Sequence, residues 1–298
     1  MNFKYAMCNE MYEGWDLERQ FGYIAECGYA GVELAPFTLT PAGQAADVRQ
    51  ISPKRRQEIC ALAKRHGLAI VGLHWLLAKT EGLHLTLPDP AVRQKTVEYG
   101  KALIDLCADL GGSVLVWGSP KQRNMEIGVT RTDAYQYAAD ALQELAPKLI
   151  ENNVTIALEP LAPNETNFLT NALETVELIE RVQSPNVQLH LDCKAMWGGE
   201  MNPDGSRRPM AEVIRQFAKY TVHFHANDPN LQGPGMGELD FNPIFEALYE
   251  INYKGWISVE TFDYKPGVKA ISEKSIEYMK EIAKKYRYFK AIPTKNSR

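Results

Sequence analysis

Eight short runs of β-branched and aliphatic residues recur along this chain of 298 residues, and a helix-length amphipathic segment follows each of them. The runs begin near Phe3 (FKYAMCN), Gly31 (GVELAP), Ala69 (AIVGLHW), Ser113 (SVLVWGS), Val154 (VTIALEP), Val187 (VQLHLDC), Thr221 (TVHFHAN) and Gly255 (GWISVETF). Successive starts lie 28 to 44 residues apart, room for a strand, a loop and a crossover helix. Parallel strands need connections of that length, because a hairpin can join only antiparallel ones. Eight such units predict a (β/α)8 TIM barrel, an α/β fold that takes up residues 1–298 as one domain. The competing architecture is an open doubly wound sheet. Against it, no Gly-x-Gly-x-x-Gly follows the first run.

Helices are expected over residues 15–27, 53–66, 91–109, 132–151, 172–181, 210–218, 243–252 and 268–288. Ser52 before Pro53 reads as an N-cap followed by proline at the first helical position, and Gly28, Gly67 and the Gly111-Gly112 pair read as stops. Pro147 should kink or restart the helix it lies in.

The balance of 33 basic and 37 acidic side chains gives a net charge of −4, which leaves no electrostatic footprint for nucleic acid or an anionic membrane. No run approaches the roughly 20 apolar residues of a membrane span. The N-terminal stretch lacks a basic region followed by an apolar one, so no secretory signal and a cytoplasmic location are expected. The five cysteines (Cys8, Cys27, Cys60, Cys107 and Cys193) are odd in number, and none is paired at the two-residue spacing of a zinc or redox motif.

In a barrel the chemistry sits where the strands end at their C-termini. Runs five to eight end in Glu159, Asp192, His225 and Glu260, separated by 33, 33 and 35 residues, one strand–helix unit each. One acidic residue after a strand is more often a helix cap. Four polar residues in register on one rim predict a site for a single divalent ion, with Mn²⁺, Mg²⁺ or Co²⁺ suited to the oxygen-rich set and Zn²⁺ also compatible. Without a cation, three carboxylates so close would repel one another.

His190 and His223 share side-chain parity with Asp192 and His225 one layer down, where each either supports those ligands by hydrogen bonding or fills the core. Substrate contacts are expected from His74 and Trp75 after run three and from Trp117, Lys121 and Arg123 after run four. Lys194 follows the metal Asp, and Glu33 ends run two. A Trp face stacks on a sugar ring and a Lys–Arg pair grips a phosphate or carboxylate. Each has a blander reading: a core Trp, a polar loop, a solvated Lys, a structural ion pair at Glu33.

The segments Ile156-Ala157-Leu158-Glu159-Pro160, Leu189-His190-Leu191-Asp192, His223-Phe224-His225 and Ser258-Val259-Glu260 resemble the sugar isomerase/epimerase superfamily. These xylose isomerase-like barrels include D-tagatose and D-psicose 3-epimerases, hydroxypyruvate isomerases and inosose dehydratases. The glycine-rich stretch from Gly233 to Phe241 is similar to the loop those enzymes carry after strand seven. The resemblance implies that Glu159, Asp192, His225 and Glu260 hold the metal and that Glu159 and Glu260 are the catalytic acid/base pair. It implies an enediolate reached by proton removal beside a metal-chelated carbonyl. The implied partner is a small-molecule sugar or keto-sugar, with no nucleic acid and no membrane, on a chain that could assemble as a homo-oligomer.

Departures accompany the match. Ketose 3-epimerases carry a His where this chain has Ala195 and an Arg where it has Leu231. Endonuclease IV-type repair enzymes of the same superfamily have a His where this chain has Trp117. An inosose-type dehydratase on the same metal site, and a sugar-binding barrel without turnover, are the alternative expectations.

Overall fold

Eight parallel strands pair in sequence order in a computed structural model that describes residues 2–286: β1 (Lys4–Cys8), β2 (Gly31–Leu34), β3 (Ala69–Leu73), β4 (Val114–Trp117), β5 (Thr155–Leu158), β6 (Val187–Asp192), β7 (Thr221–Ala226) and β8 (Trp256–Val259). The pairing of β8 with β1 closes them into a barrel. Each strand begins within one residue of its expected start. Their residues are buried almost throughout, as expected for strands covered on one face by helices and on the other by the barrel interior.

The helices among the described residues are α1 (Leu17–Cys27), α2 (Pro53–Arg65), α3 (Pro90–Asp109), α4 (Arg131–Asn152), α5 (Ala172–Val182), α6 (Cys193–Gly199), α7 (Met210–Gln216), α8 (Asn242–Glu250) and α9 (Val268–Lys284). Local chemistry fixes their ends. Ser52 caps α2 by accepting from the Arg55 amide, and Thr130 and Asp133 form a reciprocal capping box at the start of α4. The expected helix over 268–288 is seen to Lys284; residues 287 and 288 lie outside the described residues.

Of the kink or restart expected at Pro147, the restart does not occur: α4 runs unbroken from Arg131 to Asn152. Pro147 and Gln143, whose carbonyl loses its partner, both lie on the exposed face, so water satisfies that group. On the other face Leu142, Leu145 and Leu149 are fully buried and hold the segment helical. Helix α6 was not anticipated, because seven residues carry too little periodicity to read.

Two register shifts align the barrel's polar rows. Between β6 and β7 the pairing slips at Leu189–His190, which sets His190 beside His223 and Asp192 beside His225. Between β2 and β3 a similar slip follows Val32, so that Glu33 pairs with Gly72. No helix of the described residues is long and apolar enough to cross a membrane.

Candidate active site

The ends of β5 to β8 bring the four expected metal ligands to one rim, all buried: Glu159, Asp192, His225 and Glu260. Ligand atoms of Glu159, Asp192 and His225, together with one of His190, lie within 4.8 Å of one another. Glu260 joins them through Oε2, 3.1 Å from Nδ1 of His225. Glycine makes room for one of these groups: a Cβ on Gly118 would sit 2.1 Å from Oε2 of Glu159.

Asp192 has two roles on two oxygens. Its Oδ1 accepts from the Ala195 amide at 2.7 Å and so caps α6, while its Oδ2 accepts from Asn227 Nδ2 at 2.5 Å. Asn227 Oδ1 accepts in turn from the Lys194 amide at 2.8 Å. The helix-cap reading and the ligand reading of this aspartate are compatible.

Electrostatics set the two glutamates apart. Burial, then the charges of Glu260 and Asp192, push the Glu159 carboxyl up to about 8. Burial also raises Asp192, to about 6. Burial would raise Glu260 too, but the charge and hydrogen bond of His225 win and hold it below the ordinary carboxylate range. His225 is itself held well above the usual imidazole range, since Glu33 and Glu260 outweigh the burial that would lower it. Two buried carboxyls that ionise reluctantly, a third that is held ionised, and an imidazole with a ring nitrogen aimed at the third make a donor set that fits a divalent cation.

An aromatic wall borders the site. Trp75, 36% exposed, donates from Nε1 to Glu260 Oε1 at 2.7 Å and stacks on Phe262 with centroids 6.1 Å apart. Phe37 meets Trp75 at a tilt, with ring centroids 6.0 Å apart. Lys194 is held by Glu165 at 2.7 Å, with its Nζ 4.1 Å from the centre of the Phe262 ring.

Three expected substrate contacts lie elsewhere. Trp117 is 1% exposed and points outward, where its ring lies 3.6 Å from a Cβ built on Gly100 of α3. Val114 and Val116 cluster with Ala157, so alternation places Gly118, not Trp117, on the inner face. Arg123 is likewise 1% exposed; its guanidinium donates to the carbonyls of Glu159 at 2.6 Å and Leu169 at 3.4 Å, so it braces the end of β5 instead of gripping an anion. Glu33 is fully buried and pairs with His223 and His225, out of reach of a sugar hydroxyl.

The remaining residues divide between rim and interior. Lys121 is exposed on the turn after β4. His74 is buried and bonded to Glu10 at 2.7 Å. His190 packs edge-on against His225 with centroids 4.2 Å apart, and neither of its ring nitrogens has a hydrogen-bond partner. The sequence reading missed Glu10, Glu165, Asn227 and Asp228. Asn227 shares the parity of His225, and Glu165 follows Glu159 by six residues, but neither has a signature by itself. Asp228 accepts from the amides of Asn230 and Leu239, folding the glycine-rich loop back, and a Cβ on Gly237 would strike its carboxylate.

Comparison with known proteins gives a consistent picture. A family model described as "Xylose isomerase-like TIM barrel" matches residues 21–282. The chain is 28% identical over 189 residues to an L-ribulose 3-epimerase of a Methylomonas species, an alignment that covers 63% of this chain and 64% of that one. It is 28% identical over 264 residues to the L-ribulose 3-epimerase of Mesorhizobium japonicum, with coverage of 87% and 80%. Among solved structures, an Escherichia coli 3-keto-D-glucoside 4-epimerase superposes with a TM-score of 0.78 at 18% identity, covering 94% of this chain and all of that one.

Proposed function

The chain belongs to the xylose isomerase-like TIM barrel family, and from that premise we propose that it is a divalent-metal-dependent epimerase or isomerase of a sugar, keto-sugar or derivative. One observation carries the reading: the ends of β5 to β8 place Glu159 and Glu260 with Asp192 and His225 at one buried rim, where their surroundings drive the first carboxyl up and the second down. Carboxyls whose surroundings push them apart in this way divide into an acid and a base. The L-ribulose 3-epimerases among the relatives support the substrate class.

Glu159, Asp192, His225 and Glu260 would hold the ion. Bound there, it supplies Lewis-acid polarisation of a carbonyl and its neighbouring hydroxyl. Glu260, ionised and aligned by the Trp75 indole, takes the proton from the carbon beside the carbonyl. Glu159, the second rim carboxyl, returns a proton. Return to the same carbon from the opposite face inverts it; delivery to the adjoining carbon interconverts aldose and ketose. Lys194, poised between Glu165 and Phe262, donates to a substrate oxygen in place of the polar pair that Ala195 and Leu231 lack. Trp75 and Phe262 cover the apolar side of the sugar ring.

The test is turnover of a ketose panel that includes L-ribulose by the Mn²⁺-loaded protein, its Glu159→Gln and Glu260→Gln variants run alongside. Each variant is expected to lower kcat by about 10²- to 10⁴-fold. No inversion or isomerisation of any ketose, or release of water from an inosose instead, would overturn the proposal.

A further inference from the structure

Behind His225 lies a chain of buried side chains that the proposed chemistry does not use. His225 Nε2 is 3.1 Å from Glu33 Oε1, and Glu33 Oε2 is 2.7 Å from His223 Nε2. Ser258 Oγ of β8 approaches the same His223 nitrogen at 3.5 Å. None of these four side chains is exposed at all. Glu33 reaches them from β2, three strands round the barrel from β7.

A carboxylate only accepts hydrogen bonds, so the imidazole facing each oxygen presents an N–H. His225 therefore donates from Nε2 to Glu33, and Nδ1 is the nitrogen that can give up its proton to a cation. That is the atom 3.1 Å from Glu260 Oε2. Without an ion the charged imidazole donates from Nδ1 to Glu260 as well, and a cation bound there takes the place of that proton. A buried carboxylate is also a poor way to fill a core, because apolar residues of similar volume are as stable or more so.

We propose that Glu33 is a positioning residue for the metal centre: it fixes His225 in the tautomer that turns Nδ1 toward the ion, and His223 holds Glu33 in place. This rests on the metal-centred reading above. A carboxylate behind a metal-binding imidazole orients the ring and makes it a stronger donor, and loss of such a partner costs roughly 10- to 100-fold in metal affinity.

The experiment titrates metal-free protein with Mn²⁺ for the wild type and the Glu33→Gln, Glu33→Asp and Asp192→Asn variants. Glu33→Gln is expected to weaken binding about 10- to 100-fold while unfolding stays cooperative, Glu33→Asp to recover part of the loss, and Asp192→Asn to lose binding outright. A folded Glu33→Gln protein that binds within about twofold of wild type overturns the assignment. Imidazole ¹⁵N shifts of the wild type loaded with Zn²⁺ decide the matter even where a variant does not fold. A proton on His225 Nε2 and a metal-shifted Nδ1 support it, and the reverse pattern overturns it. Wild-type protein that binds no metal contradicts the metal-centred reading instead. The positioning role is then judged on the metal-free ring, where an unprotonated Nε2 overturns it and a protonated one supports it.

Discussion

The indole of Trp75, at the end of β3, donates a 2.7 Å hydrogen bond to Oε1 of Glu260, at the end of β8. The contact spans 185 residues of sequence and is made by a tryptophan with φ of +52°. A bulky side chain in that region is strained, and such strain persists where the surroundings over-determine it. Trp75→Phe keeps the wall but removes the donor. A hydrogen bond to a charged acceptor contributes about 1.5–3 kcal/mol, so kcat should fall about 10- to 100-fold with KM much less affected. Unchanged kcat would show that the bond does not align the base.

Gly118 should tolerate no side chain. A Cβ there would lie 2.1 Å from Oε2 of Glu159, so Gly118→Ala must displace that carboxylate. A shift of about 1 Å in a reacting group can cost about 100-fold in rate. The variant should fold with an unchanged circular dichroism spectrum and lose turnover on that scale. Wild-type turnover in Gly118→Ala would mean that Glu159 acts from another position.

The eight strands and the order of the four rim residues were legible because both depend on local period. A buried strand reads as an apolar run, and one strand–helix unit separates each rim residue from the next. Trp117 ends its strand but faces outward, because alternation from Val114 and Val116 makes Gly118 the inward residue. Arg123 and Glu33 failed for another reason. Their partners, the Glu159 and Leu169 carbonyls and the two β7 histidines, are distant in sequence, and nothing local distinguishes a buried charge from an exposed one. Pro147 went astray because tertiary burial of the α4 leucines outweighs one lost hydrogen bond.

Arg123 should matter to stability more than to substrate choice. Its guanidinium donates to two carbonyls, and Arg123→Met removes the donor of Glu159, while the Leu169 carbonyl keeps the Leu161 amide. A loss of about 1–3 kcal/mol in unfolding free energy is expected from urea denaturation. An unaltered midpoint would argue that water replaces the guanidinium.

The metal should stabilise the protein more as the pH rises. Glu159 moves from 4.5 to about 8 and Asp192 from 3.8 to about 6, so the folded state holds both protons more tightly than the unfolded chain. Their contribution is complete below the unfolded values and is lost as the pH climbs through about 6 and then about 8. Metal-free protein should therefore melt lower near pH 8.5 than near pH 6, and excess Mn²⁺ should raise Tm more at the higher pH. Glu159→Gln should flatten both trends. An equal Mn²⁺-induced rise at both pH values would contradict the assignment.

The most direct measurement is solvent deuterium exchange into a ketose, followed as metal-free protein is titrated with Mn²⁺. The account predicts no incorporation without the ion, and incorporation at the carbon beside the carbonyl that rises until one equivalent is bound. Full exchange in the metal-free protein, or none in the loaded one, would contradict it.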